Sequence, residues 1–247
     1  MKYYLLLAAT FLIPAHSTFA AEGPGTVPTA EEIVERMSAR DLQRQGSIEG
    51  YVGKRRYVLE NGNLNKHAEM LVQVLGDRDG TKHFEVVSEE GWKAAHKHVL
   101  RKMLESEAEN SSPEARAQAR LNRENYDFKI VGTDLVGERT AYVLEVSPKR
   151  EDKFLFRGRI WVDAEDFALA RAEGSPAKNP SFWTKSTHFV QVYEKNGPLW
   201  FPHSTQSVSE ARIFGNTDVN IEYFDYAPKS PAKPDNSVMS AKELPRP

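Results

Sequence analysis

The stretch FLFRGRIWVDAEDFALARAEGSPAKNPSFW, Phe154 to Trp183, decides the fold. In its first part Phe154, Phe156, Gly158, Ile160 and Val162 alternate with Leu155, Arg157, Arg159, Trp161 and Asp163. A period of two is the signature of an extended strand, because successive side chains point to opposite faces. The first set is apolar throughout, so that face is expected to be buried. The second mixes Arg with Trp and is expected to be half exposed. Asp163-Ala164-Glu165-Asp166 reads as a turn, since Asp side chains bond their own backbone there. Phe167, Leu169 and Arg171 return as a second strand. A Gly-Ser-Pro/Asn-Pro loop then runs to Phe182 and Trp183.

Working outward, the same rhythm continues on the C-terminal side. Thr184 to Tyr193, Leu199 to Val208 and Asn216 to Tyr226 suit long strands, with turns marked by Asn196-Gly197 and Gly215-Asn216. On the N-terminal side, Tyr126 to Ile130 and Thr140 to Val146 are strands; Tyr142, Leu144 and Val146 share one face. Further back, Gly50 to Leu59, Met70 to Leu75 and Phe84 to Val87 form a meander whose first turn is Asn61-Gly62. Two helical patterns interrupt the strands. Thr29 and Glu32 have capping-box spacing before a stripe of Ala30, Ile33, Val34 and Met37, ending near Gly46. Trp92, His96, Val99 and Met103, with Ala95 and Leu100 beside them, trace one face of a second helix. Pro113 then opens a short Ala- and Arg-rich helix to about Asn122, with Leu121 its one large apolar residue. Nine to eleven antiparallel strands make a sheet that curls or closes, and the helices are the candidates to cover its concave face. The expected class is therefore mainly β (α+β): a curled antiparallel sheet with helices over its concave face.

Address and composition narrow the function. Lys2 precedes an apolar run from Tyr3 to Ile13, Pro14 breaks it, and Thr18-Phe19-Ala20 supplies small residues for cleavage. Residues 1–20 thus read as a secretory signal peptide, 21–27 as a linker, 28–227 as the one folded domain and 228–247 as a flexible tail rich in Lys, Pro and Ser. Cysteine is absent, so the fold must rest on its core, which suits a bacterial periplasm. The formal net charge is −2, without the basic field that nucleic-acid binding needs.

Motifs of catalysis are missing. No G-x-S-x-G, H-E-x-x-H, Walker or G-x-G-x-x-G pattern occurs. His96-Lys97-His98 is the one local His cluster, and its two imidazoles point about 200° apart on a helix, wrong for sharing one ion. The expectation is no catalytic residue, no metal and no cofactor.

The run Arg159-Ile160-Trp161-Val162-Asp163, then Phe167 to Gly174, then Lys178-Asn179-Pro180-Ser181-Phe182-Trp183 resembles the outer-membrane lipoprotein-sorting (LolA/LolB-like) superfamily. Tyr193 to Pro202, a strand, a tight turn and an aromatic-Pro strand, fits the same pattern. The resemblance covers Pro28 to Tyr226. It implies an unclosed barrel wrapped around helices, with a hydrophobic cavity for acyl chains. It further implies a periplasmic carrier or sensor whose partner is a lipid, a lipidated protein or another hydrophobic ligand, with membrane or envelope proteins as further partners. An envelope interaction or assembly module of the same fold, with a filled core, is the alternative. The expected cavity wall is Tyr142, Leu144, Val146, Phe154, Phe156, Ile160 and Val162. Trp92, Val99 and Met103 are the expected lid. Arg157 and Arg159 are a candidate polar tether, meeting lipid phosphate or helix carbonyls, or else part of a cross-strand ion ladder on a solvated face.

Overall fold

The computed structural model describes residues 27–179, 184–211 and 215–229. The signal peptide, most of the linker, the Pro180–Trp183 aromatics and nearly all of the tail lie outside the described residues.

Helix α1 (Ala30–Gly46) begins where its sequence says it should. Thr29 Oγ accepts from the Glu32 amide at 3.2 Å, and Glu32 Oε2 accepts from the Thr29 amide at 2.9 Å. The reciprocal pair satisfies two orphan donors of the first turn. Thr29→Ala is expected to cost about 1 kcal/mol in urea unfolding and Thr29→Ser almost nothing. An equal loss in both would mean that the hydroxyl is not the cap.

Strands β1 (Gly50–Asn61), β2 (Lys66–Asp77) and β3 (Lys82–Gly91) form the predicted meander. The chain then becomes helical. A single turn, α2 (Lys93–Ala95), runs through a π-helical turn (His96–Leu100) into α3 (Arg101–Asn110). Ser112 caps α4 (Pro113–Ala119) through the Ala115 amide. Seven strands follow: β4 (Tyr126–Val136), β5 (Arg139–Pro148), β6 (Phe156–Asp163), β7 (Leu169–Pro176), β8 (Thr184–Asn196), β9 (Leu199–Ala211) and β10 (Gly215–Pro228).

All ten form one curled antiparallel sheet in the order β3-β2-β1-β10-β9-β8-β7-β6-β5-β4. The expected unclosed architecture is thus present. Its open edges are β3 and β4, which are consecutive strands in the chain. The segment joining them, α2 to α4, therefore crosses from one edge to the other over the hollow side. The pairing of β1 with β10, Arg55 opposite Tyr223 and Tyr57 opposite Ile221, welds the N-terminal meander to the C-terminal strands.

Two separate cores fill the concave face. Under α1, Ile33, Val34 and Met37 meet Leu144, Val146, Leu155, Ile160 and Val162. Under α2 and α3, Ala95, Leu100 and Leu104 meet Tyr57, Leu59, Met70, Val72 and Val74. Each fully buried Leu or Ile contributes roughly 1.5–3 kcal/mol, so both helices are held by apolar burial. Helix α4 differs, having no buried residue. Polar bonds hold it: Arg116 to the Asp79 carbonyl (2.5 Å) and to Gln45 Oε1 (2.8 Å), and Arg150 to the Gln118 carbonyl (2.5 Å).

Candidate functional site

A cavity of about 530 Å³ lies between the two cores, where neither helix covers the sheet. The second half of α1 forms one wall, with Met37, Asp41, Arg44 and Gln45. The β2–β3 turn and α4 form the opposite wall, with Arg78, Lys82, Arg116 and Arg120. The floor is the inner face of β1 and of β7 to β10. Here Tyr51, Phe201 and Tyr226 make a ring cluster, with centroids 5.8 Å (Tyr51–Phe201), 5.6 Å (Tyr51–Tyr226) and 5.3 Å (Phe201–Tyr226) apart. Leu169 and Leu199 add apolar surface. Burial pushes the Tyr51 and Tyr226 hydroxyls up to about 12, against the pull of nearby Arg55, so both stay neutral at any ordinary pH.

One end of the floor is pinned by an ion triad. Arg55 is 1% exposed. Its alternation in β1 with Tyr57 and Leu59 aims it inward. There it makes a forked pair with Glu107 of α3 at 2.6 and 3.1 Å, and Lys82 Nζ reaches the same carboxylate at 2.7 Å. The Tyr57 and Tyr226 hydroxyls accept from Arg55, and Phe84 and Tyr223 flank its guanidinium. Burial opposes the charge on Glu107, but Lys82 and Arg55 outweigh it and hold the carboxyl at about 2.

The other end is less balanced. The cavity wall carries six basic side chains against two aspartates. Arg55 and Lys82 share Glu107, Arg78 meets Glu49 at 2.9 Å, and Asp77 faces His83 at 2.8 Å. That leaves Asp41 among Arg44, Arg116 and Arg120. Enclosure by protein raises the Asp41 pKa, while these three arginines pull it down. Gln45 links the group: its amide donates to Asp41 at 3.2 Å and its oxygen accepts from Arg116.

The residues expected to wall the cavity are elsewhere. Tyr142, Leu144, Val146, Phe156, Ile160 and Val162 all belong to the filled core beneath α1. Periodicity found the buried face correctly; packing by α1 closes the space above it. Phe154 lies on a turn before β6, with Lys153 Nζ 4.4 Å from its ring centre, and Leu155 enters the core instead. The strand starts two residues later than expected, so the alternation does not extend back to Phe154. Trp92, Val99 and Met103 pack beside the second core rather than over a cavity. Arg157 and Arg159 cannot tether the helices, because they project from the opposite face of β6. Both are exposed, Arg157 pairs with Glu151 at 2.7 Å, and Arg159 stands in register with Glu145 and Glu173. This is the cross-strand arrangement of a solvated face. Trp161 on that side is covered by Ala141, Val143 and the Arg171 guanidinium, and donates to Asp134 at 3.1 Å. His96 is buried, its Nε2 donating to the Glu90 carbonyl at 2.8 Å, and His98 is exposed.

Residues 119–226 match a family described as a family of unknown function, DUF5686. The match covers less than half of the chain: the last residue of α4 and the strands from β4 onward. No curated protein matches. Among solved structures, the chain is similar to a LolA superfamily protein from Nitrosomonas europaea, at 11% identity over 83% of this chain and 96% of that one, with a TM-score of 0.43. It is also similar to a Vibrio parahaemolyticus domain assigned to outer membrane lipoprotein sorting (12% identity, 83% and 95% covered, TM-score 0.47) and to a DUF1329 family protein from Desulfovibrio piger (14%, 82% and 94%, TM-score 0.43). Nothing about a ligand follows from these likenesses. Among the described residues no helix is long and apolar enough to cross a membrane, and no group of His, Asp and Glu is arranged to hold a metal ion.

Proposed function

We propose that the protein is an envelope carrier or sensor that binds a hydrophobic, acyl-type ligand in the cavity between α1, α4 and the sheet. The observation that carries this is the cavity itself, about 530 Å³ with an aromatic floor, inside the range of small-molecule sites. Among the described helices, its α4 wall is the one with no buried residue, so admitting a ligand breaks mainly polar bonds. Transfer of each methylene from water to such a floor contributes about 0.8 kcal/mol. The leader read in residues 1–20 supports a periplasmic address for residues 28–227, and lipids, lipidated proteins and envelope proteins are the partners found there. The reading is of a binder, with no chemical step assigned to any residue.

A filled-core interaction module remains the second reading, favoured by the packing of most of the concave face. Native mass spectrometry and solvent extraction of the purified protein separate the two. Co-purified lipid, or tight displacement of a fluorescent fatty acid, is expected for a binder. Ala119→Trp, which pushes a ring from α4 into the cavity, should weaken that probe at least about tenfold with an unchanged unfolding midpoint. Lipid-free protein that refuses the probe would leave the interaction module standing.

A further inference from the structure

The binding wall is not electrically neutral, and its imbalance is local. Among the described residues Arg116 has no carboxylate partner; its hydrogen bonds go to the Asp79 carbonyl and to Gln45. Arg120, exposed at the end of α4, has no side-chain bond among the described residues. Arg44 spends one guanidinium nitrogen on the Asp166 carbonyl, while the Asp166 carboxylate is taken by Lys195 at 2.7 Å and by Trp200 Nε1 at 3.1 Å. Among the described residues, the only carboxylate of the cavity wall set among these three arginines is Asp41. All of them line one cavity whose floor is Tyr51, Phe201 and Tyr226. Leu42, 54% exposed, stands in the lining beside Asp41.

From this arrangement we infer that the ligand is an anionic amphiphile. Its phosphate or carboxylate head sits between Arg44, Arg116 and Arg120, and its apolar tail lies on the aromatic floor. Planar guanidinium forks match such heads bidentately, and one aspartate cannot neutralise three of them. This inference rests on the cavity being a ligand site, as proposed above.

The test is titration calorimetry on the purified full chain with four probes each built on a twelve-carbon chain, each below its micelle concentration. They are dodecyl phosphate, laurate, dodecyl maltoside and dodecyltrimethylammonium; inorganic phosphate is the fifth probe. Dodecyl phosphate and laurate should each bind at least about tenfold tighter than dodecyl maltoside, the value of one or more charge-assisted hydrogen bonds. Arg120→Gln, which removes a guanidinium without breaking a bond that holds α4, should shrink the ratio of dodecyl phosphate to dodecyl maltoside affinity at least about threefold. Asp41→Asn should tighten dodecyl phosphate about threefold or more, a gain that a misfolded variant cannot give. Equal affinity for all four amphiphiles, or preference for the trimethylammonium head, overturns the inference and leaves the cavity reading intact. Inorganic phosphate competing as well as dodecyl phosphate would mean a head-only anion site, which overturns the amphiphile. No binding by any tail removes the cavity reading, and the inference with it.

Discussion

Glu107→Ala should lower the unfolding free energy by about 3–5 kcal/mol, the loss typical when a buried charge keeps its place and loses its partner. Arg55 stays fully buried in that variant, with two tyrosine hydroxyls and two rings that cannot replace a carboxylate. Lys82 is better placed to escape, since about three-tenths of its side chain is already exposed. Urea unfolding at pH 7 measures the loss. The pair Arg55→Met with Glu107→Leu should recover at least about half of it, because removing both charges removes the desolvation cost as well. The same carboxyl predicts an acid sensitivity. Its folded pKa of about 2 lies below the ordinary 4.5, so the folded state favours the charged form. The stabilisation is complete above about pH 4.5 and is lost as pH falls towards 2. Its size is on the order of 3 kcal/mol at about 1.4 kcal/mol per pH unit. A Glu107→Ala protein with the parent's acid profile and midpoint would show that the triad does not hold α3 to the sheet.

Ile33→Ala should cost about 2–5 kcal/mol. Ile33 is completely buried beneath α1, among Leu144, Val146 and Ile160. Deleting its outer atoms leaves a void that α1 and β5–β6 cannot both close. The measurement is the midpoint of urea unfolding with the slope unchanged. A cost below about 1 kcal/mol would make α1 a lid instead of a core element, and would enlarge the site to include the face of Tyr142 and Phe156.

Much of the architecture was readable because its signals are local. The capping box at Thr29 and Glu32, the stripe of Ile33, Val34 and Met37, the period of two in β5 and β6 and the aspartate turn between β6 and β7 each depend on residues a few positions apart. In that turn Asp163 Oδ1 accepts from the Glu165 and Asp166 amides at 3.1 and 2.7 Å, the backbone service expected of an aspartate there. The site was far less legible. The same alternation that identified Ile160 and Val162 as inward could not say whether the space above them was empty. Arg55 could have been caught: it shares the inward phase of β1 with Tyr57 and Leu59, and an inward arginine demands a partner.

By itself, the sequence determined the elements, their inward faces and the antiparallel class, because backbone geometry and side-chain alternation act over a few residues. Tertiary structure alone decided that β10 pairs with β1, that Glu107 meets Arg55, 52 positions away, and that α1 and α3 fill the hollow sheet except between them. A cavity is the volume that long-range packing leaves over. It lies where Tyr51, Arg116, Phe201 and Tyr226 converge, from segments whose local patterns carry no sign of one another.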